Sequence, residues 1–244
     1  VAISIFDSKG KSVEPLIEKL RKNKRIMFLV DTIGSSVAVV FLFKSRDDFS
    51  TQQRKLSSEM VPAKLSSTFI YESKPAINVN LSDQDWGILN SLKDDARKDI
   101  GEIAKEVGTS ASYVERRIGD LVSRKILKFT ISVNPFKVSE LIPYYVCITF
   151  DETLGGSEIE ELYARLYAML DKCWLRQKIM EPRGLVMELY ADTLQEVNAS
   201  IESIKNSTGV KNVTFFFPSK FYEFDGWVEC IAAEAMKMMR KKPA

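Results

Sequence analysis

Apolar residues recur at helical spacing in three short blocks near the middle of the chain. Trp86, Ile88, Leu89 and Leu92 form the first, behind Ser82, a good N-cap, with Asp83 and Asp85 where acids suit the positive end of the helix dipole. Ile100, Ile103, Ala104 and Val107 form the second, and Gly108 follows as a residue able to close a helix in the left-handed conformation. Val114, Ile118 and Leu121 form the third, with Ser110 as its N-cap. The second and third helices are joined through Val107-Gly108-Thr109-Ser110, so they are expected to meet at a steep angle. A two-stranded wing is expected to follow, up to Pro135. This is the plan of a winged helix-turn-helix, which lays its last helix in the DNA major groove. A helical hairpin of no particular function is the plainer reading, but it leaves the agreement of caps, lengths and turn unexplained.

The pattern on either side alternates between strand and helix. After Pro135, strands are expected at residues 144–150, 175–180, 185–190 and 213–217, with helices at 157–170 and 194–205. The residues before the helical blocks repeat that order, with strands at 1–6, 26–30, 37–43 and 68–71 and helices at 12–22 and 49–60. Pro15 falls in a first helical turn, where its missing N–H costs little. Corresponding elements lie about 145–150 residues apart, a spacing that indicates a duplicated unit. The expected fold is α+β: a central winged helix-turn-helix (76–135) flanked by two ferredoxin-like βαββαβ domains (1–75 and 136–225), with a helix over 226–244. In that last helix Ile231, Ala235 and Met238 share a stripe, with Met236 and Met239 nearby. Whether the two copies pair within one chain or between chains stays open at this level.

The third helix of the central unit carries the candidate chemistry. At about 100° per residue, Ser112 and Arg116 lie nearly opposite its apolar stripe, with Tyr113 and Arg117 on one flank and Glu115 on the other. An exposed Arg near a helix N-terminus suits bidentate contact with guanine O6 and N7. Arg124, Lys125 and Lys128 follow at the helix end and wing, where phosphates would lie. Residues 82–109 hold seven acids and four bases, a balance of −3, whereas 110–130 hold five bases and two acids, a balance of +3. The expected DNA contacts are therefore Ser110, Ser112, Tyr113, Arg116, Arg117, Arg124, Lys125 and Lys128.

The central unit resembles the Lrp/AsnC family of prokaryotic transcription regulators. The resemblance rests on Leu81-Ser82-Asp83, Asp85, Ile88-Leu89 and Leu92, on Asp95-Ala96-Arg97, and on Glu102-Ile103-Ala104 with Val107-Gly108. It continues through Ser110, Ser112, Val114, Arg116-Arg117-Ile118 and Leu121 to Pro135. It implies a DNA-binding domain joined to a βαββαβ domain that assembles subunits and often binds amino acids. Two departures stand in the wing: Lys125 and Phe129 occupy positions where the family commonly has Gly. The family's β2–β3 hairpin commonly carries a Gly followed closely by an Asp that helps hold an amino-acid ligand. Ile33-Gly34-Ser35-Ser36-Val37 has no acid there, and in Glu181-Pro182-Arg183-Gly184-Leu185 the Gly falls where the Asp is expected. A ligand ammonium would lose its charged partner in either copy, so a structural or assembly role for both is preferred over a standard amino-acid effector, and effector-binding residues stay open.

Composition narrows the remaining classes. Forty-five per cent hydrophobic residues with 28% charged ones fit a folded protein. The net charge of +2 is too small to argue for nucleic acid, so affinity has to come from local patches. Residues 19–25 and 237–242 are two more basic clusters, each read first as a solvated helix end. The longest apolar run, 37–43, is far short of the ~20 residues that span a bilayer, and no signal peptide is visible. Cys147, Cys173 and Cys230 form no C-x-x-C pair and suit reduced thiols in a cytoplasmic protein. With no His, neither a Ser-His-Asp triad nor the usual zinc or haem ligand is available, and Gly155-Gly156 lacks the context of a phosphate loop. No enzyme activity, cofactor or metal is expected.

The expected function is sequence-specific transcriptional regulation through double-stranded DNA, by a homodimer or larger assembly. Two other readings stay open: an architectural DNA protein without strong sequence preference, and a tetrapyrrole-modifying enzyme resembling the sirohaem decarboxylases, whose resemblance leans on His residues absent here. The chain begins at Val1 without Met; a preceding helix-turn-helix would make the whole a tandem repeat.

Overall fold

The third strand shows what organises most of the molecule. In β3 (Ser36–Phe41) every residue from Val37 to Phe41 is buried, so both faces of the strand need cover. The computed structural model describes residues 1–71, 81–129, 137–138 and 140–231, and within it the two faces meet different neighbours. Val37, Val39 and Phe41 pack with Leu20, Leu56 and Met60, from the two helices of the same half and the residue after the second. Ala38 and Val40 pack instead with Cys147, Ile179 and Val186 from the other end of the sequence.

The first half runs β1 (Ala2–Asp7), α1 (Glu14–Arg21), β2 (Ile26–Thr32), β3, α2 (Arg46–Glu59) and β4 (Lys64–Tyr71). The central helices α3 (Asp83–Asp94), α4 (Ile100–Val107) and α5 (Ala111–Ser123) follow. The second half runs β5 (Ile142–Phe150), α6 (Gly156–Met169), β6 (Cys173–Glu181), β7 (Gly184–Ala191), α7 (Leu194–Lys205) and β8 (Val210–Phe216), and β9 (Pro218–Glu223) comes last. The expected strands and helices of both halves are present, with ends shifted by a few residues as is usual for such boundaries. Residues 226–231 begin the helix expected at the end, whereas Ala235, Met236, Met238 and Met239 lie outside the described residues.

All strand pairs are antiparallel, and their order is β8-β5-β7-β6-β4-β1-β3-β2-β9. Each half repeats one plan, with its fourth strand beside its first and its second strand outermost. Two pairings join the halves within the chain. Strand β4 meets β6 at Ile70↔Glu181 and Tyr71↔Ile179, and β9 crosses to β2 with Leu29↔Tyr222. The guanidinium of Arg46 on α2 is held by the Glu181 carboxylate beside the first seam. Residues 1–71 and 140–229 therefore belong to one compact unit, and 81–129 to another.

Strand β9 was not expected from the pattern. Its exposed Ser219, Lys220 and Phe221 give it no apolar signal, and it becomes a strand only because the edge of β2 is there to pair with. Phe217 makes the corner, its carbonyl accepting the Ile33 N–H at 2.8 Å.

The helix-facing side of the second half is filled by Val146, Ile148, Leu185, Met187, Leu162 and Ile201. A fully buried side chain of this size contributes about 1.5–3 kcal/mol, so the helix layers and the shared layer together dominate stability. Gly184 sits where strands and helix come closest. A Cβ there would lie 2.0 Å from the Ile148 carbonyl oxygen, and its own carbonyl accepts the Tyr163 hydroxyl at 3.0 Å. The position often taken by a ligand-binding acid in the resembled family is thus occupied here by close backbone packing.

One acid faces the side of β7 that carries Val186. The Glu188 carboxylate accepts the Tyr145 hydroxyl at 2.9 Å, and burial raises its pKa above the ordinary carboxyl range, the tyrosine bond only partly offsetting this. Burial likewise pushes up the hydroxyls of Tyr71 and Tyr145 and the Cys147 thiol, the last to about 12. Because the folded state holds the Glu188 proton more tightly than the unfolded chain, this group's contribution is complete at low pH. It is lost as pH rises through the folded-state value.

Two outcomes follow for this unit. Gly184→Ala is expected to cost about 3 kcal/mol or more, measured by urea unfolding, because the clash is with backbone and no rotamer relieves it. Glu188→Gln keeps an acceptor for Tyr145 and removes the charge, so its melting temperature should exceed wild type at pH 7 and converge with it in acid. Parallel curves across pH would contradict the assignment.

Candidate nucleic-acid interface

Local capping explains how the three central helices begin and end. Helix α3 (Asp83–Asp94) opens with a capping box: Ser82 accepts the Asp85 N–H, and the Asp85 carboxylate accepts the Ser82 N–H at 2.7 Å. Helix α4 (Ile100–Val107) is capped by Asp99, whose side chain accepts from Gly101 and Glu102, and ends at Gly108 with φ 72°. Ser110 caps α5 (Ala111–Ser123) by accepting the Tyr113 N–H at 3.2 Å. The tight turn between α4 and α5 is therefore built as the sequence indicated, with Gly108 in the conformation that favours glycine. Ile88, Leu92, Ile103, Ala104 and Val114 make the small core, and Gly87 lets α3 approach Val107 closely.

The two adjacent arginines of α5 separate. Arg117 turns inward and donates to both oxygens of Asp85, which is fully buried, and to Asp120 at 2.6 Å. Burial alone would raise the Asp85 pKa, but hydrogen bonds from Arg117 and Ser82 outweigh it and hold the carboxyl below its usual range. The guanidinium of Arg117 is correspondingly stabilised as a cation by Asp85. Asp85, which the sequence suggested as a helix-dipole acid, is thus the bolt between α3 and α5. Its signal was available only as a Ser-x-x-Asp box; burial by Arg117 came from tertiary packing.

Arg116 points the other way. It is exposed, and its guanidinium lies 5.7 Å from the Tyr113 ring centroid, a cation–π contact between residues three apart on the helix. Ser110 and Ser112 are exposed beside it, although the Ser110 hydroxyl is engaged in the cap, and Tyr113 is half-buried. Arg124 is exposed with Asp120 3.4 Å away, and Lys125 and Lys128 are exposed. Lys125 has φ 57°, so a lysine holds the left-handed turn for which the resembled family commonly uses glycine. Residues 124–129 form a turn and irregular chain, and the strands expected beyond them lie outside the described residues.

Among the described residues no cluster of His, Cys, Asp or Glu is arranged to hold a metal ion. No described helix is long and apolar enough to cross a membrane. A cleft of about 470 Å³ beside the β6–β7 hairpin is lined by two carboxylates, and both are engaged: Glu152 by Lys211 at 2.6 Å and Glu181 by Arg46.

Residues 81–128 match the family model described as winged helix-turn-helix DNA-binding. The chain is 24% identical over 149 residues to the HTH-type transcriptional regulator LrpA of Mycobacterium tuberculosis (strain ATCC 25618 / H37Rv), covering 60% of this chain and 95% of LrpA. Among solved structures, PH0061 has a TM-score of 0.50 at 18% identity, over 60% of this chain and 98% of that one, which is a likeness of fold. E. coli AsnC aligns at 17% identity with a TM-score of 0.46, over 56% of this chain and 91% of that one. With a helix-turn-helix that matches the DNA-binding model and a likeness running through nearly all of LrpA, this chain is a DNA-binding transcription regulator similar to the Lrp/AsnC proteins.

Proposed function

We propose that α5 reads sequence in the major groove, with Arg116 as the principal base-reading side chain. The observation that carries this is the division between the arginines: Arg117 is committed to Asp85 and Asp120, while Arg116 is exposed and steadied by Tyr113. Steadied at the groove-facing side of the helix, a guanidinium suits the paired acceptors of guanine. Ser112 lies on the same face, and Ser110, Arg124, Lys125 and Lys128 are placed to contact phosphates, which set register rather than sequence. Arg117 acts through the fold and contacts no base.

The strand orders support reading each half as a ferredoxin-like copy, over 1–75 and 136–225, around a winged helix-turn-helix at 76–135. The two copies complete each other inside one chain, so a chain offers one described reader to two copies. One such module buries too little surface for tight specific binding. The active species is therefore a homodimer or larger assembly whose readers meet half-sites about one helical turn, or a multiple of it, apart.

Selection from random duplexes followed by sequencing tests the proposal: an enriched, roughly palindromic motif is expected, and salt-sensitive binding without a motif would contradict it. Arg116→Ala should relax preference at the base it reads and cost about 1–3 kcal/mol at that site, with the melting temperature unchanged. Lys128→Ala should weaken binding evenly across sequences. Arg117→Ala leaves Asp85 buried without its partner and is expected to destabilise the central unit by about 3–5 kcal/mol in thermal unfolding.

A further inference from the structure

The two halves share one strand plan but carry opposite charge. Residues 1–71 hold twelve Lys and Arg against seven Asp and Glu, a balance of +5. Residues 140–229 hold eight against fifteen, a balance of −7. The contrast is sharpest at the corner between the first helix of each half and its second strand. The seven residues before β2 contain Lys19, Arg21, Lys22, Lys24 and Arg25 and no acid, whereas the corresponding seven before β6 contain Asp171 and Lys172. Lys172 is fully engaged, by Asp192 at 2.7 Å and Glu196 at 2.6 Å.

The basic corner is exposed and thinly neutralised. Lys19, Arg21, Lys22 and Lys24 are all exposed. Lys19 donates to the Ser58 and Glu59 carbonyls at 3.4 and 3.3 Å, which brings the end of α2, and with it Lys55, against the same corner. The acids described there include Glu18, 3.6 Å from Arg21; Glu59, which accepts from Asn23 and lies 3.9 Å from Lys55; Glu229, 3.4 Å from Lys24; and Asp48, whose charged form Arg25 helps stabilise. Among the described residues, Lys22 has no carboxylate partner within 4.0 Å. Pairs this exposed are worth about 0–1 kcal/mol, so an incoming polyanion displaces them at little cost.

We propose that this α1–β2 corner is a second, sequence-independent contact to the phosphates of the duplex held by α5. The inference rests on the DNA-reading role proposed above. Duplex DNA is the favoured occupant because the reader on the same chain keeps it at high effective concentration, and neutralising phosphates releases counterions. The acidic second half is repelled by phosphates, so only the first half suits this contact.

The test compares the full chain with a Lys19→Gln/Lys22→Gln/Lys55→Gln variant on a selected duplex with flanking sequence, from about 50 to 200 mM salt. The plot of log affinity against log salt should be shallower by about 1–3 in the variant, with the preferred motif unchanged. Lys22→Gln alone, which removes no ion pair, should shift the slope by about 1. A Lys205→Gln/Lys211→Gln control in the second half should leave it as in wild type. An unchanged slope in both corner variants, with wild type still binding its motif, would overturn the second contact and spare the reading by α5. No binding by wild type at low salt would overturn both. If the DNA-free protein shows salt-sensitive self-association that the variant abolishes while the slope stays unchanged, the corner docks a second copy's acidic half, and the proposal is likewise overturned.

Discussion

A strand that is apolar on both faces cannot end its fold with one layer of helices, and most of this molecule follows from that constraint. The helix layers satisfy Val37, Val39 and Phe41 in one half and Val146, Ile148 and Met187 in the other. Ile3, Ile5, Ala38, Val40 and Cys147, Val186 are left on the opposite faces, and those two sets cover each other. Hydrophobic burial has no direction, so the partner layer only has to be apolar and near. The other half of the same chain meets both conditions without a second chain. The seams add register: β4 on β6 and β9 on β2 leave the outermost strand of each half with a neighbour over part of its edge.

The central unit depends on a different kind of interaction. Its core is small, and the contact between α3 and α5 is reinforced by a buried carboxylate whose acceptors are filled by Arg117 and the Ser82 N–H. Such a pair does little for net stability against an apolar alternative, but losing one partner is costly, so it specifies how the helices dock. The successive positions 116 and 117 differ by about 100° around the helix, enough to send one guanidinium into the scaffold and the other to solvent. Function and architecture are divided between neighbouring copies of one residue type. The charge contrast between the two halves extends the same economy: one strand order, with one half basic and the other acidic.

Much of this was legible along the chain. Alternation and helical spacing placed the strands and helices of both halves, and Ser82, Asp99, Gly108 and Ser110 are cap signals whose effect is local and hence visible without a fold. Arg116 was legible as a surface residue because its position follows from the turn of a single helix. Arg117 was not, since the same geometry put it on a flank and only Asp85, thirty-two residues earlier, pulls it inward. Strand β9 was invisible for a related reason: its pairing groups are backbone, which every residue carries, and the edge of β2 selects them. Lys125 marks the limit of local rules, as a left-handed turn held by a residue that does not favour it.

By itself, the sequence determined the order of elements in both halves and the helix-turn-helix with its caps, because periodicity and capping act over a few residues. The resemblance of those residues to known regulators implied the class. Only the tertiary structure decided that the two halves pair within one chain, that Gly184 is a packing position, and that Arg117 turns inward. Those outcomes depend on contacts between residues far apart in the chain, and apolar surface and charge carry no label saying which distant partner will meet them.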